Sequence, residues 1–144
     1  MLYYDRVFHP QWDSANINND VGVVHLSKAI TLNSHAATIR LAGSVPAHGT
    51  ASTVTGWGYT NYQAQTRPTI LQVLETTTYV SESDGWWGTT TPGSYSSIWN
   101  ANTQVATRDS NQGICMGDSG GPLVNDATGE QYGVCSYVLT RKSC

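Results

Sequence analysis

Three observations predict an all-β domain. Short runs of β-branched and aromatic residues recur along the chain, clusters of Gly, Pro and Asn separate them, and no stretch sustains a helical period. A chain of 144 residues suffices for one ordinary core, whereas all-β barrel domains commonly run to about 200–250 residues. One domain, of which this chain is a part, is therefore expected.

Strands are expected over residues 2–8, 21–26, 50–55, 71–80, 122–125 and 131–137, each a run rich in Val, Thr, Tyr or Leu that ends at turn-forming residues. Residues 85–102, rich in Gly, Thr, Ser and Trp, read as a surface loop pinned to the barrel by Trp86, Trp87 and Trp99. No internal repeat or linker interrupts the chain.

Composition excludes several classes. Charged residues make up 12% of the chain and the net charge is -3, so no broad field attracts nucleic acid or anionic lipid. Asp5, Arg6 and His9 interrupt the first ten residues, which cannot serve as the apolar part of a signal peptide. No run is long enough to span a membrane. The histidines lack a metal-ligand spacing, no Asn-x-Ser/Thr sequon occurs, and neither metal nor cofactor is expected.

The most informative segment is Gly117-Asp118-Ser119-Gly120-Gly121-Pro122, a Gly-flanked turn that leads into Leu123-Val124. A nucleophilic serine must stand in the open while backbone N–H groups converge on the oxygen that becomes negative during acyl transfer. Glycines permit that backbone path. At average residue frequencies the six-residue string arises at a given position with a probability on the order of one in ten million.

At this string the chain resembles the chymotrypsin-like serine peptidases. The likeness extends over essentially the whole sequence: His9-Pro10, Asn18-Asn19-Asp20 before an apolar run, Gly56-Trp57-Gly58, Leu71-Gln72-Val73, the serine motif and Ser136-Tyr137-Val138 follow in family order. The resemblance implies a double Greek-key β-barrel, of which residues 1–144 hold the end of the first barrel and most of the second. It makes Ser119 the nucleophile, Asp20 the carboxylate that orients a catalytic histidine, and the N–H groups of Gly117 and Ser119 the oxyanion hole. Asp118 would pair with the N-terminal amine released on activation. Ser136, Tyr137 and Val138 would bind the substrate backbone as an added strand, with Ser136 also hydrogen-bonded to Asp20.

The family's histidine lies upstream of the aspartate in a segment that this chain does not match. His9, His25, His35 and His48 read as surface or strand residues, and without a base the serine hydroxyl is a weak nucleophile. The C-terminal strand and helix of the family are not matched either. By the same resemblance Cys115 bridges Cys144, which requires an oxidising compartment and implies secretion. Ser52 and Asn125 occupy the two places of another family bridge, Gly85 and Ala106 those of a third. Cys135 is left as a small buried thiol.

Gly113 stands where trypsin-like members carry the Asp of the specificity pocket, Ile114 adds apolar surface, and the branched Val138 narrows the entrance. Small or medium apolar side chains are therefore expected before the scissile bond, since a buried Lys or Arg would lack a partner. The expected partners are peptide and protein substrates and protein protease inhibitors, with the protein a monomer. The competing class is an inactive pseudoprotease, a binding module that keeps the groove.

Overall fold

A computed structural model describes residues 4–79, 100–109 and 112–138. Its strands are β1 (Tyr4–Phe8), β2 (Gly22–Leu26), β3 (Ala51–Gly56), β4 (Gln72–Tyr79), β5 (Ala106–Arg108), β6 (Pro122–Asn125) and β7 (Gln131–Val134). The all-β expectation is met. No helix among the described residues is long and apolar enough to cross a membrane. Trp86, Trp87, Trp99, Gly85 and Cys144, to which the sequence assigns anchoring or bridging places, lie outside the described residues.

Strands β1 and β2 pair with each other as an antiparallel ribbon, and the remaining five form one sheet in the order β5-β4-β3-β6-β7. Every neighbouring pair in that sheet is antiparallel, and it curls as half of a barrel. Strand alternation builds its inner face. Val54 pairs with Leu74 on one side and Leu123 on the other, and these side chains meet Cys135 in the core, where Val54 is 4% exposed and Leu123 6%.

The next inward layer is polar. Ser52 and Thr78 are fully buried, and both are satisfied, as a buried hydroxyl must be. Thr78 Oγ1 donates to the Ala47 carbonyl (2.8 Å) and accepts the Thr50 N–H (3.1 Å). Ser52 Oγ donates to the Thr50 carbonyl (2.9 Å) and shares a short hydrogen bond with the Tyr132 hydroxyl. Ser52 and Asn125 face each other as cross-strand partners, which brings together the two residues that the resemblance places at one lost bridge.

Two departures from the expected strands have causes in tertiary pairing. The strand expected over 131–137 ends at Val134, because the backbone of Cys135 is diverted. Its N–H donates to the Gly121 carbonyl and its carbonyl accepts the Gly120 N–H, both at 2.8 Å. Strand β5 was not expected. At three residues it carries too little alternation to register in the sequence, and pairing with β4 defines it.

The β1–β2 ribbon contributes little to this core. Val23 is 63% exposed and Val24 59%, and consecutive strand residues point to opposite faces, so both faces are bare. A segment beyond it joins the sheet: Gln131 N donates to the Arg40 carbonyl and Ala42 N to that of Gln131, each at 2.9 Å, along the edge of β7. An Arg40–Glu130 ion pair of 2.6 Å lies at the same edge.

Candidate active site

The turn between residues 115 and 121 is set by two glycines with left-handed backbones, Gly117 (φ 105°) and Gly120 (φ 84°). Asp118 N donates to the Cys115 carbonyl (3.0 Å) and Gly121 N to that of Asp118 (2.9 Å), which closes the turn on itself. Ser119 is left exposed at its apex. The N–H groups of Gly117 and Ser119 donate to no acceptor among the described residues.

Asp118 points the other way, into the sheet. Its Oδ1 accepts the Gly58 N–H and its Oδ2 the Cys115 N–H, each at 2.8 Å. The Gly56-Trp57-Gly58 segment makes room for this carboxylate. A Cβ on Gly56 would stand 2.0 Å from Asp118 Oδ1, and one on Gly58 would stand 2.4 Å from Cγ. Both glycines are therefore demanded by close approach, whatever their φ. Two backbone donors thus hold the Asp118 carboxylate.

Asp20 follows a loop that is shaped by its own side chains. Asp13 accepts the Ala15 N–H (2.9 Å) and Asn16 Nδ2 (2.7 Å), and the Asn16 hydrogen bond, seconded by the Ala15 N–H, holds its carboxyl below the ordinary range. Ile17 and Asn19 take positive φ, 53° and 57°. For the β-branched Ile17 this is an uncommon conformation, and Gln104 Nε2 secures it by donating to the Ile17 carbonyl at 2.9 Å.

Asp20 is brought to the serine turn by one contact. Ser136 Oγ donates to Asp20 Oδ2 at 2.5 Å, and Ser136 follows Cys135, whose backbone is bonded to Gly120 and Gly121. The expected Ser136–Asp20 hydrogen bond is present. Asp20 is exposed, so bonding rather than burial positions it. His9 and Asp20 line one cavity, but the His9 Nδ1 accepts the Gln11 N–H at 3.1 Å.

Gly113, Ile114, Ser136, Tyr137 and Val138 lie together on the wall of a cavity of about 890 Å³ whose floor reaches Val54 and Leu123 on the inner face of the sheet. Two participants escaped the sequence reading. Gln104 links three segments, since besides Ile17 its Oε1 accepts the Asn100 N–H (3.0 Å) and the Tyr137 hydroxyl (3.2 Å). Asp109 also lines the cavity and accepts Gln112 Nε2 at 3.0 Å. Neither belongs to a motif, and tertiary proximity reveals both.

Cys135 is the free, buried cysteine of the described residues, while Cys115 is buried and its expected partner Cys144 lies outside them. Burial, and secondarily the charge of Asp118, push the Cys135 thiol up to about 11. At pH 8 about one molecule in a thousand then carries the reactive thiolate. Native protein should accordingly react with a disulfide reagent at least about a hundredfold more slowly at Cys135 than unfolded protein; rapid modification would contradict this placement. Because the folded pKa is raised, the associated stability is complete below about pH 9 and is lost as pH rises through 11.

The chain is similar in sequence to known proteins over most of its length. The family model described as Trypsin matches residues 2–144. Serine protease 1 of Canis lupus familiaris is 36% identical over 129 residues, covering 90% of this chain and 49% of the relative. Trypsin-3 of Salmo salar is 33% identical over 132 residues, 91% of this chain and 52% of the relative. Chymotrypsin-like elastase family member 1 of Homo sapiens is 33% identical over 144 residues, 94% of this chain and 52% of the relative. The chain spans about half the length of these relatives.

Proposed function

Because this chain belongs to the trypsin family of serine peptidases, we propose that it is the serine- and aspartate-bearing part of an endopeptidase that cleaves peptide bonds through an acyl-enzyme. The observation that carries this reading is the Ser136–Asp20 hydrogen bond of 2.5 Å, which ties the carboxylate to the strand end that anchors the Ser119 turn. Ser119 Oγ attacks the carbonyl carbon and its proton passes to a base. The N–H groups of Gly117 and Ser119 receive the oxyanion, and collapse of the tetrahedral intermediate expels the amine as it takes the proton from that base. Water, deprotonated by the same base, then hydrolyses the Ser119 ester to release the acid and restore the hydroxyl. Asp20 orients the base and Asp118 holds the turn.

The groove edge at Ser136, Tyr137 and Val138 binds the acyl half of the peptide. Gly113 and Ile114 line a pocket for small or medium apolar side chains, and Val138 restricts its mouth. Cys115 bridges Cys144, and the protein works outside the cell as a monomer that protein inhibitors engage through the same groove.

One observation favours a second reading, a non-catalytic binding module: His9, the histidine that lines the same cavity as Asp20, has its Nδ1 committed to the Gln11 N–H. A serine-directed phosphonate with an apolar side chain separates the two. The natural protein should give an adduct at Ser119 that Ser119→Ala abolishes, and it should cleave after Ala, Val or Leu at least about tenfold faster than after Arg, the order expected for an unpaired buried charge. Saturable peptide binding without an adduct would establish the binding module, and faster cleavage after Arg would overturn the pocket assignment.

A further inference from the structure

The loop that follows Gly58 closes on itself. Asn61 and Thr66 bridge, Thr60 N donates to the Thr66 carbonyl (2.9 Å) and Ala64 N to Asn61 Oδ1 (2.8 Å). This closure returns the chain so that the Arg67 guanidinium lies over the Tyr59 ring, 4.7 Å from its centroid. Tyr59 is fastened to the serine turn by its N–H, which donates to the Met116 carbonyl at 2.9 Å. As a result Arg67 Nη1 lies 3.3 Å from the point where a Cβ on Gly117 would stand.

Arg67 is exposed, and the ion pair found among the described residues joins Arg40 to Glu130 instead. Its planar fork is thus held by stacking on Tyr59, beside an N–H group without an acceptor, and has no acidic partner among the described residues. The net charge of -3 does not draw anions to the molecule as a whole, so attraction at this point is local.

The position relative to substrate follows from the cavity. Gly113, Ile114 and residues 136–138 line it, whereas Tyr59, Arg67, Met116 and Gly117 do not. Arg67 therefore stands beside the Ser119 turn and outside the cavity, on the side left for the leaving half of a peptide whose acyl half lies along 136–138. We propose that Arg67 is a specificity-determining residue that selects an acidic side chain on the leaving-group side of the scissile bond, an inference that rests on the catalytic reading of Ser119. The fork accepts a carboxylate as a bidentate, charge-assisted pair.

Internally quenched peptides identical up to the scissile bond, with Asp, Ala or Lys two residues beyond it, test this in the natural protein. The kcat/KM ratio of Asp to Lys peptide should be about ten, the order expected for an exposed pair and its repulsive counterpart. Arg67→Glu should invert the ratio, Arg67→Lys should keep part of it, and about 1 M salt should bring it toward one. A ratio near one that Arg67→Glu leaves unchanged would overturn the proposal while the catalytic reading stands. The same peptides in fluorescence anisotropy with the Ser119→Ala protein give a readout independent of turnover. Should no peptide be cleaved and no phosphonate adduct form, an acid preference in binding that Arg67→Glu reverses would uphold the role of Arg67, and equal affinities would reject it.

Discussion

Gly58→Ala should lower the unfolding temperature by about 10 °C and reduce phosphonate labelling of Ser119 by roughly a hundredfold or more. The added Cβ would stand 2.4 Å from Asp118 Cγ and Oδ2 and 2.6 Å from Oδ1, distances that no rotation of a methyl group relieves. The half-buried carboxylate must leave, and with it go the hydrogen bonds from Gly58 N and Cys115 N. Stranding these partners costs about 1–3 kcal/mol each. The turn that holds Ser119 and Gly117 loses its inward anchor at the same time. Gly43→Ala serves as the control, since nothing lies within 4 Å of a Cβ there. If the clash is the mechanism, Asp118→Ala should remove most of the penalty of Gly58→Ala, a non-additivity that a double-mutant cycle measures. Additive effects would sink this account.

Ser52→Cys combined with Asn125→Cys should form a disulfide and stabilise the oxidised protein. The two residues are direct antiparallel partners, and such pairs have Cα separations within the range a disulfide spans. Closing the segment 52–125, roughly 70 residues, contributes up to about 4 kcal/mol on the chain-entropy model. Against this stands the loss of the Ser52 hydroxyl, which donates to Thr50 and bonds Tyr132. Tyr132 is already pushed above the ordinary phenol range, by burial first, with the Ser52 bond acting in the opposite direction. Leaving its hydroxyl without that partner costs about 1–3 kcal/mol, so a net gain of about 1–3 kcal/mol remains. Ser52→Cys alone should be less stable than the starting protein. Thermal unfolding of the single and double variants, with thiol titration to establish the bridge, checks both signs. A double variant that stays reduced in air would show that the pair is misaligned.

Much of the sheet is legible in the alternation of its strands. Residues 52 and 54 on β3 and 74, 76 and 78 on β4 point inward, as period two requires, even though Ser52, Thr76 and Thr78 are polar and Val73 is exposed. The serine turn is legible because its glycines are obligatory: Gly117 and Gly120 have left-handed backbones, and Gly56 and Gly58 lie against the Asp118 carboxylate. Strand β5 is not legible, since a three-residue pairing depends on its neighbour more than on its own composition.

By itself the sequence determined the all-β class and the glycine-flanked serine turn at 117–122, because both are written in local pattern, while the pairing of Asp20 with Ser136 came from the family resemblance and is present in the structure. Tertiary structure alone decided where β7 stops, that Gln104 joins Ile17, Asn100 and Tyr137, and that Arg67 stands beside Gly117. Most of these contacts join segments far apart in the chain: Gln104 meets Ile17 and Tyr137, Arg67 meets Gly117, and the Cys135 backbone meets Gly120 and Gly121. Neither strand alternation nor turn composition encodes which distant backbone a glutamine or an arginine will meet, and packing of the closed loops settles it.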